Sequence, residues 1–234
     1  MTKLISKVQS DHSCSRNRNT FHEKNIANLQ HICLQANSRV TKILRISAEL
    51  LQDIINQNPH VKIVYLYRDP RAIISSRGKI HKGPLQTTMV KAVCNKMNTD
   101  SGIVLNLASE YPTRVILVSA ERIAKNPITV SKQLFEFLNI NFKIDDENQI
   151  NDLSNWDRKH KRRKDANFYP FKNDGYASSM NWRKVLSLED KNRIDKICQD
   201  VYHRLGYLNM SSPEEFRNIS FLNIIKLKIP VHNI

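Results

Sequence analysis

Apolar residues fall into short dense runs and into longer stretches where they recur every three or four positions. The densest run, Val61 to Tyr67, holds Val61, Ile63, Val64, Leu66 and two tyrosines. β-Branched and aromatic residues at that density predict a strand buried on both faces. Pro70 ends the run. Asp69 before it is a good N-cap and proline suits the first helical position, so "DPRAIISSRG" predicts a helix over 70–79. Upstream, "SRVTKILRI" alternates Val40, Lys42 and Leu44 against Ile43 and predicts another strand. Leu50, Leu51, Ile54 and Ile55 then keep helical spacing until Asn58-Pro59 stops the helix. This β-α-β-α order predicts an α/β fold with a parallel sheet and helices on its faces.

Downstream, residues 87–111 predict a long helix with an interruption near Asp100-Ser101-Gly102, and "RVILVS" over 114–119 predicts a third buried strand. Asn126-Pro127 repeats the cap-plus-proline start, and Val130, Leu134, Phe135 and Leu138 give the helix that follows one apolar face. Residues 141–181 are polar with scattered aromatics and predict mostly loop. Ser187 and Asp190 resemble a capping box. Ile194, Ile197, Cys198, Val201 and Leu205 line one face of the helix behind it, which Gly206 ends. No internal repeat is visible, and residues 1–28 are polar enough to predict a disordered leader.

A length of 234 residues suits one full α/β domain. The 37 Lys and Arg outnumber the 22 Asp and Glu, and the resulting net charge of +15 points to an acidic partner. Nucleic acid, an anionic polysaccharide and a phosphorylated cofactor all qualify by charge. No nucleic-acid module pattern is present, so nucleic acid is not the expected partner. Cys14, Cys33, Cys94 and Cys198 lie far apart without a C-x-x-C, which argues against zinc and permits disulfides. The opening residues are too polar for a signal peptide, and no run approaches the roughly 20 apolar residues of a membrane span. Asn209-Met-Ser and Asn218-Ile-Ser are sequons that would matter only in a secretory lumen.

The candidate chemistry lies where the densest strand meets its helix. Arg68, Arg71, Ser75 and Ser76 gather at a helix N-terminus, whose free N–H groups and dipole favour an anion while arginine forks onto its oxygens. The combination suits a phosphate. It also suits an arginine pair held by carboxylates, with serines merely tolerated in the helix. Asp69 competes with a phosphate for the same N–H groups, so the arginines must supply most of the attraction. The basic run Arg158 to Lys164 reads as a solvated or localisation-type patch, or as a surface for an anionic glycan.

"YLYRDPRAIISSR" resembles the 3′-phosphate-binding segment of the carbohydrate sulfotransferases, Golgi enzymes that sulfate sugar chains with 3′-phosphoadenosine 5′-phosphosulfate (PAPS). "VTKILRI", "VCNKM", "LVSAERIAKNPITVSKQLFEFLNI" and "NWRKVLSLEDKNRIDKICQDVYHRLGYL" agree in order and spacing, so the resemblance covers about residues 30–208. It implies a three-layer parallel sheet flanked by helices, like that of the P-loop NTPases, in a domain over 29–210 followed by a tail over 211–234. It also implies that Arg68 and Ser76 bind the 3′-phosphate with Arg71 and Ser75 beside them, and that Lys42 and Arg45 match the family's "K-T-x-R" stretch. Trp182-Arg183 matches a "W-R" near the family's C-terminal helix, which makes Arg183 a cofactor or substrate contact by the same resemblance, or the pair a packed tryptophan and its neighbour.

The implied reaction transfers a sulfuryl group from PAPS to a carbohydrate hydroxyl and leaves adenosine 3′,5′-bisphosphate, with no metal required and an anionic glycan as acceptor. No catalytic residue is nominated, and Glu121 is at most a marginal general base. The family's "R-Y-E-D-L" stands here as Ser119-Ala120-Glu121-Arg122-Ile123. Its Gly/Ser-rich loop, which wraps the 5′-phosphosulfate with backbone N–H groups, has no counterpart before Val61, since the first glycine is Gly78. The expectation is a domain incomplete at its N-terminus, without the family's membrane anchor. An inactive remnant that binds nucleotide or polyanion is the alternative. The family's place in the Golgi lumen makes a Cys94–Cys198 disulfide conceivable.

Overall fold

The computed structural model describes residues 31–44, 46–81, 84–154, 175–220 and 224. The chain divides into two units, Met1–Ile46 and Ser47–Ile234. In the first, residues 31–35 are helical and 36–44 carry no regular structure. The strand expected over "SRVTKILRI" is therefore absent from the residues described there. Val40, Ile43 and Leu44 are exposed and make no strand ladder, so nothing holds that stretch in a pleat.

The second unit runs α1 (Glu49–Gln57), β1 (Ile63–Tyr67), α2 (Pro70–His81), α3 (Thr87–Glu110), β2 (Val115–Ser119), α4 (Ala120–Lys125), α5 (Pro127–Phe137), α6 (Ile144–Ser154), α7 (Gly175–Met180), α8 (Trp182–Val185), α9 (Leu188–Ile197), α10 (Gln199–Leu205) and α11 (Pro213–Arg217). This is an α/β unit, mostly helical, around a small sheet. β1 and β2 pair in parallel, with Ile63 opposite Val115 and Tyr67 opposite Ser119. The intervening α2 and α3 form the crossover that a parallel pair requires.

β2 is buried throughout, but β1 is not. Ile116 and Val118 pack with Val130 beneath Ile123, Leu134 and Phe137 of α4 and α5. Their ladder partners Val64 and Leu66 lie on the same face, yet are 40% and 60% exposed. The burial expected on both faces of β1 is thus corrected to one, because this helical layer covers β2 and stops short of β1.

Helix ends follow local chemistry. Asp69 Oδ1 accepts from Arg71 N at 2.8 Å, so Asp69 caps α2 as its sequence predicts. Asn58 ends α1 by donating both its backbone N–H and its side-chain amide to the Ile54 carbonyl. The Pro127 start of α5 is present, but the Asn126 side chain makes no cap bond. Ser187 Oγ accepts from Asp190 N at 3.0 Å and starts α9. Ser187→Ala is expected to lower stability by about 1 kcal/mol in a urea melt.

Three helical expectations are corrected. α3 is continuous, because Asp100 pairs with Lys96 at 2.9 Å and Ser101 bonds back to the Asn98 carbonyl. Gly102 packs against Arg204, where an added Cβ would lie 3.1 Å from Arg204 Nη1 and would require that side chain to shift slightly. The expected helix over 188–205 is two, α9 and α10, parted at Cys198, and Gly206 closes α10 at φ 74°. The expected loop over 141–181 contains α6 and α7. α6 escapes an apolar count because its first turn is Asp145, Asp146 and Glu147, which suit the positive helix end, with Glu147 paired to Lys132.

Candidate phosphate site

The parallel register brings the ends of β1 and β2 side by side, and the next residues on each strand build the site. After β1 come Arg68 and Asp69; after β2 come Ala120 and Glu121. Arg68 is half-buried, and its Nη2 donates to the Ser179 carbonyl near the end of α7 at 3.3 Å. A helix end attracts a cation, but this bond is long for a charged donor, so the guanidinium is available to a better acceptor. Ser76 is exposed on α2, about 9 Å along the axis from Pro70. Ser75 is buried, one turn beyond Arg71 on the inward side.

Arg71 points inward and is 0% exposed. It forks onto Asp69, with Nη2–Oδ2 and Nε–Oδ1 both at 2.9 Å, and reaches Asp195 at 3.4 Å and the Leu208 carbonyl at 3.2 Å. Its guanidinium also lies 4.6 Å from the Tyr202 ring centroid and 5.3 Å from that of Trp182. Burial works against its charge, and Asp69, Tyr202 and Asp195 more than offset that, holding Arg71 above its ordinary value. This is the carboxylate-held arginine left open by the sequence, and it turns the side chain away from any ligand in solvent. Asp195 in turn accepts from Lys191 at 3.0 Å and from the Tyr202 hydroxyl at 2.7 Å.

Arg183 is likewise 0% exposed. Its Nη1 donates to the carbonyls of Glu215 and Asn218 at the end of α11, and Arg217 donates back to the Arg183 carbonyl. Burial lowers the Arg183 value. Trp182 beside it packs on Phe216, with ring centroids 5.9 Å apart. The Trp-Arg pair therefore ties α8 to α11. Lys42 is exposed in the unit that ends at Ile46. Arg45 and the basic run Arg158 to Lys164 lie outside the described residues.

Glu121 is the residue whose place the sequence indicates least. It is 1% exposed; Oε1 accepts from Asp69 N at 2.9 Å, and Oε2 accepts from Ser119 Oγ at 2.8 Å and from the Tyr207 hydroxyl at 3.0 Å. Burial, followed by the nearby Asp69 charge, raises its value above the ordinary 4.5. With three donors already on its oxygens and no access to solvent, it is not placed to take a proton from an acceptor hydroxyl. Among the described residues, no group of three or more His, Cys, Asp or Glu side chains could hold a metal ion, and no helix is long and apolar enough to cross a membrane.

The sulfotransferase domain model matches residues 9–206, most of the chain. The chain belongs to the sulfotransferase family. Within that family it is similar to Carbohydrate sulfotransferase 1 of Danio rerio, 28% identical over 181 residues, which are 69% of this chain and 41% of that protein. Carbohydrate sulfotransferase 5 of Mus musculus is 26% identical over 180 residues, with 69% and 45% covered. Carbohydrate sulfotransferase 6 of Homo sapiens is 23% identical over the same length and coverage. The chain thus spans less than half the length of these relatives. No solved structure matches it.

In this sulfotransferase-family chain, Arg68 and Ser76 are the two expected phosphate contacts with access to solvent, while Arg71, Ser75 and Arg183 are buried. Sequence reasoning missed the Ser179 carbonyl under Arg68 and the Glu121 clamp. The signals for the clamp were the charged residues that follow the two strands and Glu121, the acidic residue kept from the family's "R-Y-E-D-L".

Proposed function

We propose that the chain carries the 3′-phosphate seat of a PAPS-dependent carbohydrate sulfotransferase and serves transfer of a sulfuryl group to a sugar hydroxyl. The observation behind this reading is the division of labour between two arginines on one turn of chain: Arg71 is forked onto Asp69, and Arg68 is half-buried and, among the described residues, has a long bond to the Ser179 carbonyl. Arg68 would fork onto the phosphate oxygens and Ser76 would donate its hydroxyl. Asp69 already fills the Arg71 N–H, so charge comes from the Arg68 side chain more than from the helix tip.

In the reaction, the protein would align the sugar hydroxyl, sulfur and leaving oxygen, and stabilise charge on the departing bisphosphate. The bond from sulfur to the bridging phosphate oxygen of PAPS breaks as the bond from sulfur to the sugar oxygen forms, the electron pair leaves with the bisphosphate, and the hydroxyl proton passes to solvent. An anionic glycan suits the net charge of +15. The buried Cys94–Cys198 disulfide, with Cα atoms 5.3 Å apart, and the two sequons suit a Golgi lumen.

The test is calorimetric titration with adenosine 3′,5′-bisphosphate and with adenosine 5′-monophosphate. The chain should prefer the bisphosphate, and Arg68→Ala should weaken that ligand alone by about tenfold to a hundredfold, as the loss of a charged hydrogen bond implies. Equal affinity for both nucleotides would overturn the reading.

A further inference from the structure

We infer that Glu121 is a positioning residue that sets Arg68 for the 3′-phosphate, by holding the peptide between Arg68 and Asp69. The inference rests on the phosphate reading above. The Asp69 N–H that Glu121 Oε1 accepts at 2.9 Å belongs to that peptide. Because a peptide is planar, fixing its N–H also fixes its carbonyl and the Arg68 Cα, the atom from which the side chain leaves the backbone. Among the described residues the far end of Arg68 is held by the 3.3 Å bond to the Ser179 carbonyl, so much of its aim is set at its base.

The clamp itself has little freedom. Glu121 Oε2 is held by Ser119 Oγ and the Tyr207 hydroxyl, and Tyr207 is wedged edge-on between Tyr67 at 6.1 Å and Tyr202 at 6.4 Å. Ser119 lies opposite Tyr67 in the ladder, so the sheet register dictates that Glu121 reaches Asp69. A buried carboxyl beside Asp69 is an unfavourable place for charge, and such departures from local economy are expected where a site must be held rigid. The same peptide leads into the Asp69 carboxylate, which carries Arg71. One glutamate therefore separates the two arginines, one outward and one inward.

The experiment measures the ratio of affinities for adenosine 3′,5′-bisphosphate and adenosine 5′-monophosphate on the full chain. Glu121→Ala should lower that ratio about tenfold, whereas Glu121→Gln, whose amide oxygen still accepts from Asp69 N, should keep most of it. Ser187→Ala, destabilised at a remote cap, should leave the ratio unchanged. That control separates aim from stability. Should Glu121→Ala not fold, Glu121→Asp decides the matter: one methylene shorter, it withdraws from Asp69 N and should also lose the ratio. A folded Glu121→Ala or Glu121→Asp with the wild-type ratio, alongside an Arg68→Ala that has lost it, overturns this inference and leaves the phosphate reading standing. A wild-type chain without any preference overturns both.

Discussion

Replacing Cys94 or Cys198 by alanine should cost about 4–5 kcal/mol of folding stability, the largest loss expected from any single change in the chain. The bond joins residues 104 apart, and closing a loop of about that length in the unfolded chain is worth roughly 4.7 kcal/mol. Both cysteines are buried, Cys94 on α3 and Cys198 at the junction of α9 and α10, so the bond fastens the crossover helix to the C-terminal helices. Urea unfolding of the wild type with and without reductant, beside the two variants, measures the effect. Reduced wild type and both variants should lose similar amounts. A loss under about 1 kcal/mol in all three would show that the bond adds little to the fold.

Arg71→Met should destabilise the chain by about 3–5 kcal/mol, because it takes the forked guanidinium away from buried Asp69 and removes one of the cations on Asp195. Arg71→Lys keeps the charge but loses the fork and the flat stacking against Tyr202 and Trp182, and should fall between Met and the wild type. The pair of variants also separates architecture from recognition. If Arg71 is internal scaffolding, folded Arg71→Lys retains the preference for the 3′-phosphorylated nucleotide. If Arg71 touches the phosphate, Arg71→Lys loses that preference in proportion to its lost bidentate bonds. Urea melts and the two-nucleotide titration together decide between these outcomes.

Much of the site was legible because its signals are local. Asp69 before Pro70 announces a cap and a helix start whatever the rest of the chain does, and both are present. Strand runs of Val, Ile, Leu and Tyr placed β1 and β2 within a residue or two of their ends. The parallel pairing followed from the helices between them. What failed to show was anything decided by partners distant in sequence. Arg68 and Arg71 look equivalent in "RDPR"; besides Asp69 next door, Asp195, Tyr202, Trp182 and Leu208, more than a hundred residues away, draw one of them inside. The exposure of Val64 and Leu66 depends on how far α5 extends across the sheet, which no periodicity encodes.

The strand expected over "VTKILRI" shows the same limit from the other side. Its alternation is real, but a strand is made by its neighbours, and a favourable pattern without a ladder stays irregular. Glu121 is a third case. In sequence it is one acidic residue after an alanine, and its meaning appears when the ends of β1 and β2 stand level and Tyr207 comes in from 86 residues further along the chain. Local chemistry thus announced the turn where the two arginines gather, and long-range packing left Arg68 half-buried and drew Arg71 inside.

The most direct measurement is a crystal structure of the chain with adenosine 3′,5′-bisphosphate. The account predicts the 3′-phosphate between the Arg68 guanidinium and the Ser76 hydroxyl, with the Arg68 bond to the Ser179 carbonyl given up and Arg71 still forked onto Asp69. A 3′-phosphate bound to Arg71, or seated away from the start of α2 with Arg68 still on Ser179, would contradict it.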